Sequence, residues 1–252
     1  DPGNNELKFA LAGLYQVQND RKGAEAVFRD ILEKSGDSPD GIKAKGLLAT
    51  ELLSRGDKSG AQVLIGEIIA KDQRNEQALL LKAGMAIDDH QLDQAISDLR
   101  SILRDTPNSS GALLLLAKAH EQAGSVELAQ EHYLKAFQAG KHAVPYGMAY
   151  GEFLLKRGQA ARAAQVAEST LKMTPGNVQV MKLLAQAHLN QGNWVGAQAV
   201  AGHGHAIHLD VEVGFGLQTR GRHPGRPGDF TQNLLHFEGP FLEGIQVITQ
   251  DL

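Results

Sequence analysis

The chain has 252 residues, 42% of them apolar and 21% charged, the proportions of an ordinary globular protein long enough for one large domain or two small ones. It has no cysteine, which excludes disulfides, zinc–thiolate sites and thiol nucleophiles. A net charge of -4 and the lack of any apolar run near the roughly 18 residues of a spanning helix exclude a general nucleic-acid binder and direct membrane insertion.

From Asn5 onward the sequence repeats. A small residue occupies one slot at Ala24, Ala61, Ala95, Ala129, Ala163 and Ala197, at separations of 37, 34, 34, 34 and 34 residues. A second small residue lies twelve positions earlier, at Ala12, Ala49, Ala83, Ala117, Gly151 and Ala185. Between the slots stands a turn signal: Asn19-Asp20, Gly56-Asp57, Gly124-Ser125, Gly158-Gln159 and Gly192-Asn193. His90-Gln91 fills that place in the third unit and is the weakest match.

Around each turn the apolar residues recur with the helical period, as at Leu113, Leu116, Ala117 and His120, then Ala129, Tyr133, Ala136 and Phe137. Each unit is therefore two short antiparallel helices, starting near residues 5, 42, 76, 110, 144 and 178. Small residues at the crossing points let the paired backbones come close, and a larger side chain there would overpack at a cost of about 1–3 kcal/mol. One hairpin cannot bury its apolar face alone, whereas stacked hairpins share a continuous core. The three extra residues between the first two units are expected to lengthen the Gly/Ser/Asp/Pro-rich loop Ser35–Asp40.

This pattern resembles the tetratricopeptide repeat. The first unit shows it as Leu11-Ala12, Tyr15, Ala24, Phe28 and Ile31, and the fourth as Leu116-Ala117, His120, Ala129, Tyr133 and Ala136. The closing proline of the motif stands at Pro107 and Pro175. Departures are Gly36 and Gln73 at the closing slot, Lys82 at an apolar slot, and Ala167 and Ala201 at the bulky slot. The resemblance implies an all-α fold, an α-solenoid wound as a right-handed superhelix, over residues 1–201 with the last repeat incomplete. Pro2 falls in the closing slot of a repeat that would precede the first, so a further hairpin is expected upstream of Asp1. The opening Asp1-Pro2-Gly3-Asn4 is neither an initiator Met nor a signal peptide and reads as the edge of an excised segment.

After Ala201 the composition changes. Residues 202–252 hold no Lys and one Ala, yet five of the ten His and nine of the 28 Gly. Gly221–Gly228 is a Gly/Pro run that no helix tolerates, and Leu209, Val211, Val213, Phe215 and Leu217 alternate with a strand-like period of two. Residues 202–252 are expected to be a non-repeat tail, disordered or locally β. Two origins stand open: sequence foreign to the array, as a frame shift or misjoined reading would give, or a genuine β-rich extension.

No nucleotide-binding glycine motif and no nucleophile–base arrangement is present, so the chain is not expected to be an enzyme or to need a cofactor. His203, His205 and His208 have the residue type of a metal site, but i and i+2 face opposite ways on a helix and no acidic residue orients the rings. They are read as a His-rich junction, with metal binding the minor alternative. His120 and His188, in a slot that usually carries Tyr, are expected to pack in helices with a polar edge on a neighbouring turn.

The resemblance also implies that the first helices of successive repeats line a concave groove for another protein or peptide. Carried over position by position, that groove is Phe9, Leu47, Thr50, Leu53, Leu80, Leu81, Ile87, Leu114, Leu115, Lys118, Glu121, Met148, Glu152, Leu155, Lys182, Leu183 and Gln186, with Ala10, Gly13, Gly84, Ala149 and Leu189 between them. Its aliphatic character suits an amphipathic helix or an extended apolar peptide. The basic clamp by which some family members hold a peptide carboxylate is not reproduced, since Lys118 and Lys182 stand in other slots. Two further roles stay open: a structural spacer or self-assembling segment joined through uncapped ends, and the interaction module of a larger enzyme. The Ala/Gln/Leu-rich style is similar to tetratricopeptide proteins of bacterial envelope and exopolysaccharide-export systems, which implies bacterial cytoplasm or periplasm.

Overall fold

The computed structural model describes residues 4–209, with the side chains described as far as Gly202. Among the described residues there are twelve helices and no strand: α1 (Asn5–Val17), α2 (Arg21–Ser35), α3 (Pro39–Ser54), α4 (Lys58–Lys71), α5 (Glu76–Asp88), α6 (Leu92–Asp105), α7 (Ser110–Gln122), α8 (Val126–Ala139), α9 (Val144–Lys156), α10 (Ala160–Met173), α11 (Val178–Asn190) and α12 (Trp194–Leu209). All lie in one compact unit that ends at Asp210. The tail readings and most of the tail itself lie outside the described residues.

The helices pair as six hairpins, α1/α2 to α11/α12, and each second helix packs on the first helix of the next hairpin. The small slots lie at these crossings. Ala12, Ala24, Ala49, Ala61, Ala83, Ala95, Ala117, Ala129 and Ala163 are all fully buried. Larger side chains fill the spaces between them, with Phe28, Leu48 and Ile68 in one cluster, Leu99 and Leu116 in the next, and Tyr150, Phe153 and Leu154 in the third.

Local chemistry sets the helix ends. Asn4, Asp20, Ser38, Asp57, Asn75, Ser109 and Asn177 each cap a helix, the side-chain oxygen accepting from a backbone N–H of the first turn. The turn within each hairpin needs one residue with positive φ. Gly56, Gly124, Gly158 and Gly192 supply it at 69–81°, and Asn19 and His90 take the same place at 57°. His90 thus does the work of glycine in the unit whose turn signal is weakest.

The extra residues of the second unit do not lengthen its loop. They extend α3, which has 16 residues where α1, α5, α7, α9 and α11 each have 13. Pro39 at the first turn and the Ser38 cap start this helix early. At the other end, α12 continues through Leu209, past the point at Ala201 where the repeat pattern stops.

Candidate functional site

The first helices carry the expected groove residues in three environments. Phe9, Leu47, Leu53, Leu80, Leu81, Leu114, Leu115, Met148 and Leu155 are half-buried aliphatic or aromatic side chains that pack against the core clusters with one side. Thr50, Lys118 and Glu152 are exposed, and Glu121, Lys182 and Gln186 are half-buried. Ile87 and Leu183, by contrast, are core residues and line no groove. Ile87 sits among Ala83, Ala95, Leu99 and Leu116. Leu183 is drawn inward by glycine: a Cβ on Gly151 of α9 would collide with the Leu183 side chain, so that small slot is where Leu183 fits.

Several groove positions are engaged locally. The Lys43 ammonium lies 4.3 Å from the Phe9 ring centroid, a cation–π contact that covers the aromatic face. The Thr50 hydroxyl donates to the Gly46 carbonyl at 3.0 Å, and the Gln186 amide donates to Asn190 at 2.8 Å. Leu80 reaches α7 above Gly111, where a Cβ would lie 3.1 Å from it.

The residues converge best between α7 and α9. Here Lys118, Glu121 and Gln122 of α7 face Pro145, Met148, Ala149, Glu152, Phe153 and Lys156 of α9 across an open cleft of about 460 Å³, with Tyr133 of α8 at its base. Glu121 is held from two sides. The Tyr133 hydroxyl donates to one carboxylate oxygen at 2.6 Å, and the Lys156 ammonium lies 3.6 Å from the other. Burial, then the hydrogen bond to Glu121, push the Tyr133 hydroxyl far above the ordinary tyrosine range. Tyr133 therefore donates and never ionises at physiological pH.

Five of the expected residues (Lys118, Glu121, Met148, Ala149 and Glu152) meet in this cleft, while Gln122, Tyr133, Pro145, Phe153 and Lys156 were not expected there. Lys156 could have been found from its spacing, one turn beyond Glu152 on the same helix face. Tyr133 could not, because its place in a core slot gives no sign that its hydroxyl emerges into the cleft.

Of the two histidines in the tyrosine slot, His188 lies 3.3 Å from the Asn193 side chain of the following turn. His120 differs: it stacks on His132 of α8, and its buried Nε2 has no hydrogen-bond partner. His203, His205 and His208 lie on α12, but their side chains fall outside the described residues. Among the described residues no three His, Asp or Glu side chains could hold a metal ion, and no helix is long and apolar enough to cross a membrane.

Comparison with known proteins accords with this arrangement. A tetratricopeptide-repeat model matches residues 154–209, and a model of YpiA-like C-terminal tetratricopeptide repeats matches residues 112–177. Residues 112–209 carry tetratricopeptide repeats by these matches, and the whole helical array supports a tetratricopeptide-repeat protein. Its fold is similar to that of pilF from Pseudomonas aeruginosa, with TM-score 0.56 at 16% identity, covering 82% of this chain and 97% of that one. It is also similar to a thermophilic tetratricopeptide protein of Thermus thermophilus, with TM-score 0.53 at 17% identity, covering 68% and 95%. MamA gives TM-score 0.52 at 17% identity, covering 65% and 95%. At these identities the likeness shows the fold. No curated protein matches the chain by sequence. Tetratricopeptide arrays are generally non-catalytic modules that bind other proteins.

Proposed function

We propose that this tetratricopeptide protein is a non-catalytic scaffold that holds a segment of another protein along its first helices, centred on the α7–α9 cleft. The cleft itself carries the reading. Met148, Ala149 and Phe153 give it an apolar floor, and Lys118, Glu121, Glu152 and Lys156 give it a polar rim. An apolar centre ringed by polar groups is the anatomy of protein-binding sites. Two lysines and two glutamates balance, so the rim favours a segment with an apolar anchor and mixed polar flanks over a strongly charged tail. The half-buried leucines of α3, α5 and α7 continue the apolar strip away from the cleft.

The test is affinity capture with the full chain beside a Met148→Asp/Lys118→Glu variant, with circular dichroism on both. Met148 is half-buried and Lys118 exposed, so the variant is expected to keep its helicity. Proteins retained by the native chain and lost from the folded variant would support the cleft. Identical retention by both would remove it.

A further inference from the structure

One row of equivalent positions runs across the first helices: Gly13, Thr50, Gly84, Lys118, Glu152 and Gln186, one from each hairpin. In the first three hairpins the row is small, and a Cβ on Gly13 or Gly84 would meet nothing within 4 Å. In the last three it is long and polar. The Gln186 amide is engaged by Asn190 of its own helix at 2.8 Å. Lys118 and Glu152 are therefore the charges of this row, one positive and one negative, on the adjacent first helices α7 and α9.

Both are exposed, on opposite sides of the α7–α9 cleft. The other two rim charges satisfy each other: the Lys156 ammonium lies 3.6 Å from Glu121, whose second oxygen accepts from Tyr133. Lys118 and Glu152 form no ion pair among the described residues. They are left to an occupant, and their spacing sets its conformation. Neighbouring packed helices lie about 8–10 Å apart, so the occupant must present two complementary charges at about that separation on one face. An α-helix does so with residues i and i+7, about 10.5 Å apart, and brings i+3 and i+4 between them over the apolar floor. An extended strand repeats one face every ~6.6 Å, which falls short at one step and overshoots at two.

We infer that the cleft binds an amphipathic α-helix of a partner protein, with one acidic and one basic residue seven positions apart and an apolar residue at the third or fourth position between them. This rests on the reading that the cleft is the binding site. Lys118 takes the acidic residue, Glu152 the basic one, and the apolar side chain lies on Met148. The helix fits with its chain running either way, so the cleft selects the opposite-sign pair and not its order. Gly84 and Gln186 flank the two charges without adding a third.

Fluorescence anisotropy of three labelled, stapled helical peptides on the full chain at low ionic strength is the test. The peptides share an Ala-rich frame with Leu at i+3 and i+4 and differ only at i and i+7, which are Glu/Lys, Glu/Glu or Lys/Lys. The native chain should bind the Glu/Lys peptide about fivefold more tightly than either like-charged one. Lys118→Glu should move the preference to the Lys/Lys peptide, and Glu152→Lys to the Glu/Glu peptide. Both positions are exposed, and circular dichroism should show both variants folded. Met148→Asp should abolish binding of all three. Binding that Met148→Asp leaves untouched would put the peptides elsewhere and remove the cleft itself. Three equal affinities, all lost in Met148→Asp, would keep the cleft and overturn its charge selection. Tighter binding of an unstapled Glu/Lys peptide with a proline between the charges would overturn the helix in favour of an extended segment. No binding by any peptide would overturn the helical occupant outright.

Discussion

The imidazole of His120 on α7 lies face to face with that of His132 on α8, their centroids 5.4 Å apart and their planes 12° from parallel. Neither His120 Nε2 nor His132 Nδ1 has a hydrogen-bond partner. Burial, then the Arg100 guanidinium of α6, hold His120 below the ordinary histidine range. Burial, then His120 and Lys135, do the same for His132, with Glu131 opposing. Both rings are thus neutral in the folded protein at pH 7, because burial and the nearby cations outweigh Glu131 in opposing a further proton.

This pair gives the stability a pH dependence of definite sign. As pH falls below about 6.5 the unfolded chain takes up protons on these histidines while the fold resists them, so stability is lost toward acid. The melting temperature should be steady above about pH 7 and fall between about 6.5 and 5, ahead of the carboxylate range. His120→Phe/His132→Phe should flatten that interval. An unchanged slope in the variant would assign the acid sensitivity to other groups.

Gly147 of α9 faces the Thr170 hydroxyl of α10, which is fully buried and donates to the Val166 carbonyl. A Cβ on Gly147 would run into that hydroxyl. Gly147→Ala should therefore destabilise by about 1–3 kcal/mol despite alanine's better helix propensity. Thr170→Ala in the same chain should recover part of the loss, as chemical denaturation of the double-mutant cycle would show.

Gly66 of α4 is the opposite case, with nothing within 4 Å of a Cβ placed there. Gly66→Ala should stabilise by about 0.5–1 kcal/mol, read as a higher denaturation midpoint at unchanged slope. The two substitutions are chemically identical, and only the neighbouring side chains set their opposite signs.

Tyr133→Phe removes the hydroxyl that holds Glu121 at the base of the cleft. A hydrogen bond to a charged group contributes about 1.5–3 kcal/mol, and Glu121 keeps water and Lys156 as partners, so the loss should fall at or below the lower end. Partner retention should weaken while helicity persists, as capture and circular dichroism on one preparation would show.

The repeat was legible because its strongest constraint is steric. Two helices cross closely only where a residue such as Ala12 or Ala24 permits it, and that leaves a periodic mark in the sequence. The turns were legible for a related reason, since Gly and Asn take positive φ most readily, and His90-Gln91 was the weakest of the turn signals because histidine marks such a position less clearly. The groove was less legible. A first helix is covered by its own second helix, by the preceding hairpin and by the next one. Position alone could not say that Leu183 turns into the space left by Gly151 while Met148 stays at the cleft. Nor could it show that the added residues of the second unit would join α3, where Pro39 and Ser38 start a helix early.

The most direct measurement is photo-crosslinking from single positions of the full chain. A photoreactive side chain in place of Met148, on the floor of the cleft, would be compared with one in place of Glu168, exposed on α10. The scaffold account predicts adducts to one protein species from position 148, their loss when Lys118→Glu is added, and none from position 168. Equal adducts from both positions, or adducts at 148 that ignore Lys118→Glu, would contradict it.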